Sequence, residues 1–145
     1  MVLQSIHIKH MYNYPTTIRL HHTDAAGILF FANLFIIAHE CYETFLEPEV
    51  TFNSMFNELG LRMPIVHAEA DYHRPLRVSD RITIRLRLEN MGNSSFSLGY
   101  YIHTENDECA ATIKTTHVIR DNSGNNPIPL PERLKQKLMS LDVRE

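Results

Sequence analysis

Apolar residues recur every three or four positions between residues 31 and 47. The members of this series are Phe31, Leu34, Phe35, Ala38, Cys41, Tyr42 and Phe45. This spacing places them on one face of a helix. Ile36, Ile37 and Leu46 widen that face, so the pattern predicts a helix over residues 31–47 that is buried on most sides. Pro48 suits the end of this helix.

Alternation of apolar and polar residues dominates the rest of the chain. It is clearest at residues 80–90, where Ile82, Ile84, Leu86 and Leu88 alternate with polar or charged residues. Further strands are predicted at residues 17–20, 64–73, 96–102 and 109–120. Short turns at 91–94 and 105–108 favour antiparallel pairing of the later strands. Two shorter helices are predicted, at residues 51–59 with Gly60 as the cap and at residues 132–141.

These elements together predict an α+β fold. One long apolar helix buries most of its surface only if a curved sheet surrounds it, so we expect a five-stranded antiparallel sheet wrapped around a long central helix. No internal repeat and no long linker rich in Gly, Ser or Pro divides the chain. We therefore expect a single domain over residues 1–145.

Composition narrows the class of protein. Of 145 residues, 43% are hydrophobic and 21% charged, which is typical of a soluble globular chain, and a formal net charge of −3 disfavours a general nucleic-acid binder. The most apolar stretch, residues 25–38, is shorter than the roughly 20 residues that cross a membrane. With no signal-peptide pattern in residues 1–15 and only Cys41 and Cys109 as cysteines, we expect a cytoplasmic protein without a membrane partner.

Candidate chemistry lies in the loop before the long helix. Asp24 precedes the small residues Ala25, Ala26 and Gly27, which let the backbone turn tightly. The first turn of a helix offers unpaired N–H groups that, with the helix dipole, stabilise a developing oxyanion. A carboxylate beside such donors suits acyl transfer, although a loop aspartate also serves as an Asx-turn or helix cap.

Several motifs resemble the 4-hydroxybenzoyl-CoA thioesterase family of hotdog proteins. Residues 23–31 (TDAAGILFF) resemble its active-site signature, and residues 38–43 (AHECYE) and 64–76 (PIVHAEADYHRPL) resemble its 1,4-dihydroxy-2-naphthoyl-CoA thioesterase branch. Residues 94–96 (SSF) and 129–132 (PLPE) are similar as well. The resemblance implies a hotdog fold and hydrolysis of an aromatic acyl-CoA to the free acid and CoA, on the route to phylloquinone or menaquinone.

The resemblance also implies roles for individual residues. Asp24 would be the catalytic carboxylate, acting as nucleophile or as general base. Phe31 would polarise the thioester carbonyl through its backbone N–H, and Glu40 would support the site. The residues expected to contact substrate in this loop and helix are Gly27, Phe30 and Phe35. The same phenylalanines would also suit a plain core, and Glu40 a solvated helix face.

Arginine and lysine residues in the later strands are candidates for the CoA phosphates, because guanidinium groups suit phosphate recognition. The candidates are Arg85, Arg87, Lys114 and Arg120. For any single arginine, an ordinary exposed sheet face is the slightly favoured explanation. No metal or cofactor is expected, since the His39 to Glu43 run lacks the second histidine of a zincin.

Hotdog proteins pair sheets edge to edge, so the resemblance implies a homo-oligomer, a dimer or a dimer of dimers, with active sites at subunit interfaces. Two alternatives to the aromatic acyl-CoA substrate stay open at this point. One is a thioesterase for a short- or medium-chain acyl-CoA or for an acyl carrier protein. The other is a non-catalytic hotdog module that binds acyl thioesters.

Overall fold

A computed structural model describes residues 11–143 and places five strands in one sheet. The strands are β1 (Tyr12–Thr17), β2 (Ile65–Tyr72), β3 (Arg81–Met91), β4 (Ser95–Thr104) and β5 (Cys109–Val118). The sheet order is β1-β3-β4-β5-β2, and every neighbouring pair is antiparallel. The described part also contains two α-helices, α1 (Asn33–Leu46) and α2 (Glu132–Met139).

The core forms between α1 and one face of the sheet. Along β3 the alternation predicted from sequence is observed, and Ile82, Ile84, Leu86 and Leu88 are all buried. The buried face of α1 meets them, and its Tyr42 ring packs against Phe96. The α+β architecture with an antiparallel five-stranded sheet and a long central helix is therefore confirmed.

The first strand is displaced from its predicted position. We predicted a strand at residues 17–20, whereas β1 ends at Thr17 and Leu20–His22 forms a short 3-10 helix. Pro15 lies inside β1 and pairs with Thr83. A proline cannot donate to a sheet, and β1 tolerates it because it lies at the end of the sheet order.

Helix boundaries differ by a turn or less from the prediction. α1 begins at Asn33 rather than at residue 31, because residues 30–32 lead out of a preceding hairpin. The short helix predicted at 51–59 is a π-helical turn over Ser54–Glu58, in which the Leu59 amide donates to the Ser54 carbonyl at 3.0 Å. Gly60 follows with a φ of 63° and ends the turn as predicted.

A bilayer-crossing helix would have to be longer and more apolar than any helix within residues 11–143.

Candidate active site

The loop before α1 folds into a small hairpin, which we call the Asp24 hairpin (residues 22–30). Thr23 and Leu29 form an antiparallel bridge, and the Asp24 amide donates to the Ile28 carbonyl at 2.8 Å. Gly27 adopts a φ of 74° at the turn, and its amide donates to the Asp24 carbonyl at 3.0 Å. The four residues 24–27 thus turn the chain where the sequence predicted a tight loop.

The Asp24 hairpin is fixed to the segment between β2 and β3. The Leu29 amide donates to the Leu76 carbonyl at 2.7 Å, and the Val78 amide donates to the Gly27 carbonyl at 3.1 Å. Both leucine side chains are buried in the core. Backbone bonds on one side and buried leucines on the other hold the hairpin in one place.

The Asp24 carboxylate is exposed, and only one of its two oxygens accepts hydrogen bonds within residues 11–143. Its Oδ1 accepts hydrogen bonds from the amides of Ala26 at 2.8 Å and Ile28 at 3.3 Å. This is the Asx-turn role that the sequence left open. Its Oδ2 has no hydrogen-bond partner among residues 11–143, and no basic side chain in that range pairs with it. One carboxylate oxygen therefore orients the group, and the other stays open to a substrate or water.

The residues leading into α1 carry unpaired amides. The Asn33 amide donates to Phe30 and the Phe35 amide donates to Ala32, at 2.9 and 3.2 Å. Within residues 11–143 the amides of Phe31 and Ala32 have no acceptor. They lie at the positive end of the α1 dipole, where a negative oxygen is stabilised. Both members of the predicted pair, Asp24 and the Phe31 amide, are therefore available, one in the hairpin and one at its exit.

Asn33 and His22 fasten the helix start to the hairpin, a role that sequence reasoning missed. The His22 carbonyl accepts from the Phe30 amide at 3.0 Å and from the Asn33 side-chain amide at 2.9 Å. The His22 ring is buried, and its Nδ1 accepts from the Arg19 amide at 2.9 Å. Burial lowers the pKa of His22, which favours the neutral ring that such an acceptor requires.

The predicted aromatic contacts divide into two kinds. Phe30 and Phe31 are 47% and 59% exposed, and their rings contact each other in a tilted arrangement with centroids 4.8 Å apart. Two adjacent exposed phenylalanines form a local apolar patch, a feature that occurs at binding surfaces. Phe35 instead packs partly buried against the core, as the alternative interpretation expected.

Glu40 lies on the exposed face of α1, next to the hairpin. Its charge raises the pKa of His22, against the larger effect of burial. The Glu40 carboxylate makes no hydrogen bond to Asp24 in the described part of the chain. Within a single chain it is a nearby anion rather than a direct partner of the proposed catalytic group.

The predicted phosphate contacts lie away from the hairpin. Arg87, Gly99 and Lys114 are directly opposite one another on three neighbouring strands, on the sheet face that points away from α1. Arg85 shares that face and bonds to Asp107. Arg120 follows β5, where its guanidinium donates to the Asn125 carbonyl at 3.5 Å.

A groove of about 260 Å³ lies beside the Asp24 hairpin. Ile28 and Leu29 form one wall, and Tyr72, Leu76 and Ala111 form part of the other. The Tyr72 hydroxyl also donates to the carbonyl oxygen of Phe31. Sequence reasoning gave Tyr72 no role, although it lies within the motif at residues 64–76 that suggested the family.

Comparisons with known proteins find similarity to thioesterases. Residues 18–138 match the model of the thioesterase-like superfamily. A 1,4-dihydroxy-2-naphthoyl-CoA hydrolase of Rippkaea orientalis is 38% identical over 138 residues, which cover 93% of this chain and 100% of that protein. The hydrolase of that name from Synechococcus elongatus is 37% identical over 129 residues, covering 88% and 94%.

Solved structures agree with this family. The structure of a 1,4-dihydroxy-2-naphthoyl-CoA thioesterase from Synechocystis superposes with a TM-score of 0.82 at 26% identity. The superposition covers 90% of this chain and 96% of that one. The similarity therefore extends over the sheet, the long helix and the hairpin before it.

Proposed function

The chain belongs to the thioesterase-like superfamily, and from that premise we propose that it hydrolyses 1,4-dihydroxy-2-naphthoyl-CoA to the free acid and CoA. The observation that carries this proposal is the identity of 38% along the whole length of a hydrolase with that name. The geometry supports the same class of reaction, because an open carboxylate oxygen precedes a helix start with unpaired amides.

We propose that Asp24 and Phe31 carry the chemistry. The thioester carbonyl oxygen would accept the Phe31 N–H at the start of α1, which stabilises the negative charge that develops there. Asp24 would either attack the carbonyl carbon or take a proton from the attacking water. In the first route the C–S bond breaks to leave an acyl–Asp24 anhydride, the CoA thiolate takes a proton from water, and a second water hydrolyses the anhydride to the free acid. In the second route the attacking water forms the new C–O bond, the C–S bond breaks, and the proton held by Asp24 passes to the sulfur, so that CoA leaves as the thiol. The Ala26 and Ile28 amides hold the carboxylate in one orientation throughout.

The exposed ring pair of Phe30 and Phe31 supports an aromatic acyl group. Flat rings stack on phenylalanine faces in offset or tilted geometry. These side chains lie beside the amide that would hold the carbonyl, which is where the acyl group of a bound thioester begins. A saturated chain would gain less from such a surface.

A substrate panel tests this proposal. We expect kcat/KM for 1,4-dihydroxy-2-naphthoyl-CoA to exceed that for benzoyl-CoA, butyryl-CoA, octanoyl-CoA and octanoyl acyl carrier protein by about a hundredfold or more. Free thiol release measures every reaction in the same way. Preference for an aliphatic thioester would support the second substrate class, and binding of all five without thiol release would support a non-catalytic module.

We further propose that the active protein is a dimer or a dimer of dimers, joined through the edge strand β2. This strand lies at the end of the sheet order, and its side chains are exposed on both faces. Ile65, Val66 and Tyr72 are 44%, 53% and 43% exposed. An exposed apolar edge strand is a template for pairing with another strand. A second copy would cover it and bring its own residues towards the helix start.

We place the reaction in the cytoplasm, on the route to phylloquinone or menaquinone. Hydrolysis of this thioester releases the aromatic acid that such a route would consume. Both cysteines are free, and Cys41 is buried in the core. A reducing compartment suits that state.

A further inference from the structure

Tyr72 links the edge strand to the start of the central helix. It is the last residue of β2, and its hydroxyl donates to the carbonyl oxygen of Phe31, 41 positions earlier in the chain. The ring lines the groove that Ile28 and Leu29 of the Asp24 hairpin also line. The contact therefore reaches the peptide unit immediately after the proposed oxyanion donor.

In that peptide unit the C=O and N–H groups point in opposite directions. The Phe31 carbonyl and the Ala32 N–H belong to one planar trans peptide, so holding the oxygen fixes where the N–H points. The Ala32 amide has no acceptor in the described range, residues 11–143. A hydrogen bond accepted by the carbonyl also polarises the N–H of the same unit and makes it a stronger donor.

We propose that Tyr72 is a positioning residue for the thioesterase reaction, which aims and polarises the Ala32 N–H as a second oxyanion donor beside the Phe31 N–H. The inference rests on the proposed function, because an oxyanion forms only if the chain cleaves a thioester. Tyr72 would act through the backbone and touch no reacting atom. It adds a donor that the family resemblance did not supply.

The state of the hydroxyl suits this role. Burial raises the pKa of Tyr72 from its ordinary value of 10.0, so the phenol keeps its proton at neutral pH. The only other donor to the Phe31 carbonyl among residues 11–143 is the Leu34 amide, at a long 3.4 Å. Without Tyr72 this peptide plane would be held by one weak bond.

The test compares Tyr72→Phe with the wild type. The substitution keeps the ring in the groove and removes only the donor. With the best thioester of the panel we expect kcat to fall about tenfold while KM stays within about twofold, since the lost interaction strengthens in the transition state. Tyr101→Phe is the matched control, because Tyr101 donates to Glu89 at 2.7 Å on a different part of the sheet. It should keep the wild-type kcat.

An NMR measurement on the protein without substrate gives an independent readout. Loss of the hydrogen bond should shift the Ala32 amide nitrogen resonance upfield in Tyr72→Phe and leave it unchanged in Tyr101→Phe. A purely structural Tyr72 would lower the melting temperature without a selective loss of kcat.

The outcomes separate the two proposals. A wild-type protein that cleaves thioesters together with a Tyr72→Phe variant of unchanged kcat would overturn this inference alone. An unshifted Ala32 resonance in that variant would overturn it as well. A wild-type protein that releases no thiol from any thioester of the panel would overturn the proposed function, and this inference with it.

Discussion

Asp24 stabilises its own backbone turn through one carboxylate oxygen and leaves the other oxygen open to solvent. Oδ1 closes the turn by accepting the Ala26 and Ile28 amides. Oδ2 has no such bond in residues 11–143. A substitution that removes the whole side chain would therefore disturb the turn and the proposed chemistry together. Asparagine separates them, because its side-chain oxygen still accepts while the negative charge is lost.

We expect Asp24→Asn to lower kcat by at least about a hundredfold, the scale for removing a base or nucleophile, without a matching loss of stability. Thiol release and thermal unfolding measure the two effects. Asp121→Asn is the control, since Asp121 also accepts local hydrogen bonds, from Ser123, Asn125 and Asn126, in a loop after β5. Near wild-type turnover of Asp24→Asn would remove Asp24 from the mechanism.

At the scale of elements, β5 and α1 meet around one buried histidine. His117 is 1% exposed, and its ring stacks on Phe96 with centroids 4.7 Å apart. The Tyr42 ring of α1 lies against it at the same distance. The Nε2 atom bonds to the Thr115 hydroxyl at 2.8 Å. Burial, with a contribution from His39, lowers the pKa of His117 to about 4.

This histidine predicts acid sensitivity of the helix–sheet contact. The unfolded chain takes up a proton near pH 6.5, whereas the folded chain does so only near pH 4. Unfolding therefore binds a proton between these values, and the free energy of unfolding falls as pH drops through that window. The difference between the two pKa values of His117 corresponds to about 3 kcal/mol in the free energy of unfolding.

Chemical denaturation at pH 7 and pH 4 measures the effect. In His117→Gln we expect the free energy of unfolding to fall less between pH 7 and pH 4 than it does in the wild type. This difference is expected whatever the stability of the variant at pH 7. His103→Gln on β4 replaces a partly exposed histidine and should retain the wild-type dependence. An unchanged pH dependence in His117→Gln would contradict the prediction.

At the scale of the whole molecule, β2 is the most exposed strand among residues 11–143. Side chains of β3 and β5 alternate between buried and less buried positions, whereas every residue of β2 except Ala70 is exposed. β2 is also the strand that ends in Tyr72, next to the groove at the Asp24 hairpin. Covering β2 by a second copy would therefore reach the candidate active site.

We expect Val66→Lys to block this pairing, because a charge on an edge strand opposes the approach of another strand. Sedimentation should then give the mass of one chain, 16.8 kDa, if the wild type is a dimer, and the mass of two chains if the wild type is a dimer of dimers. Met139→Lys on α2 is the control, since Met139 is 46% exposed and lies outside the sheet. An unchanged mass for Val66→Lys would exclude β2 as the interface.

Local periodicity determined much of this fold from sequence alone. Alternation from Ile82 to Leu88 predicted β3 and the face that it buries, and the three-to-four spacing predicted the buried face of α1. The turn at Asp24 and its place before α1 were also predictable, because small residues and Gly27 act on their own backbone. The catalytic roles of Asp24 and Phe31 stay predictions that mutagenesis decides.

Only the tertiary structure decided what depends on distant partners. The predicted first strand began only at residue 17, whereas the sheet order places Pro15 in an edge strand where its missing N–H costs little. The alternation along β3 did not say which cations lie near the hairpin, and Arg85 and Arg87 lie on the face away from α1. Tyr72 reaches Phe31 across 41 residues. Periodicity reports which side of an element is buried, whereas contacts between elements are set by register and packing.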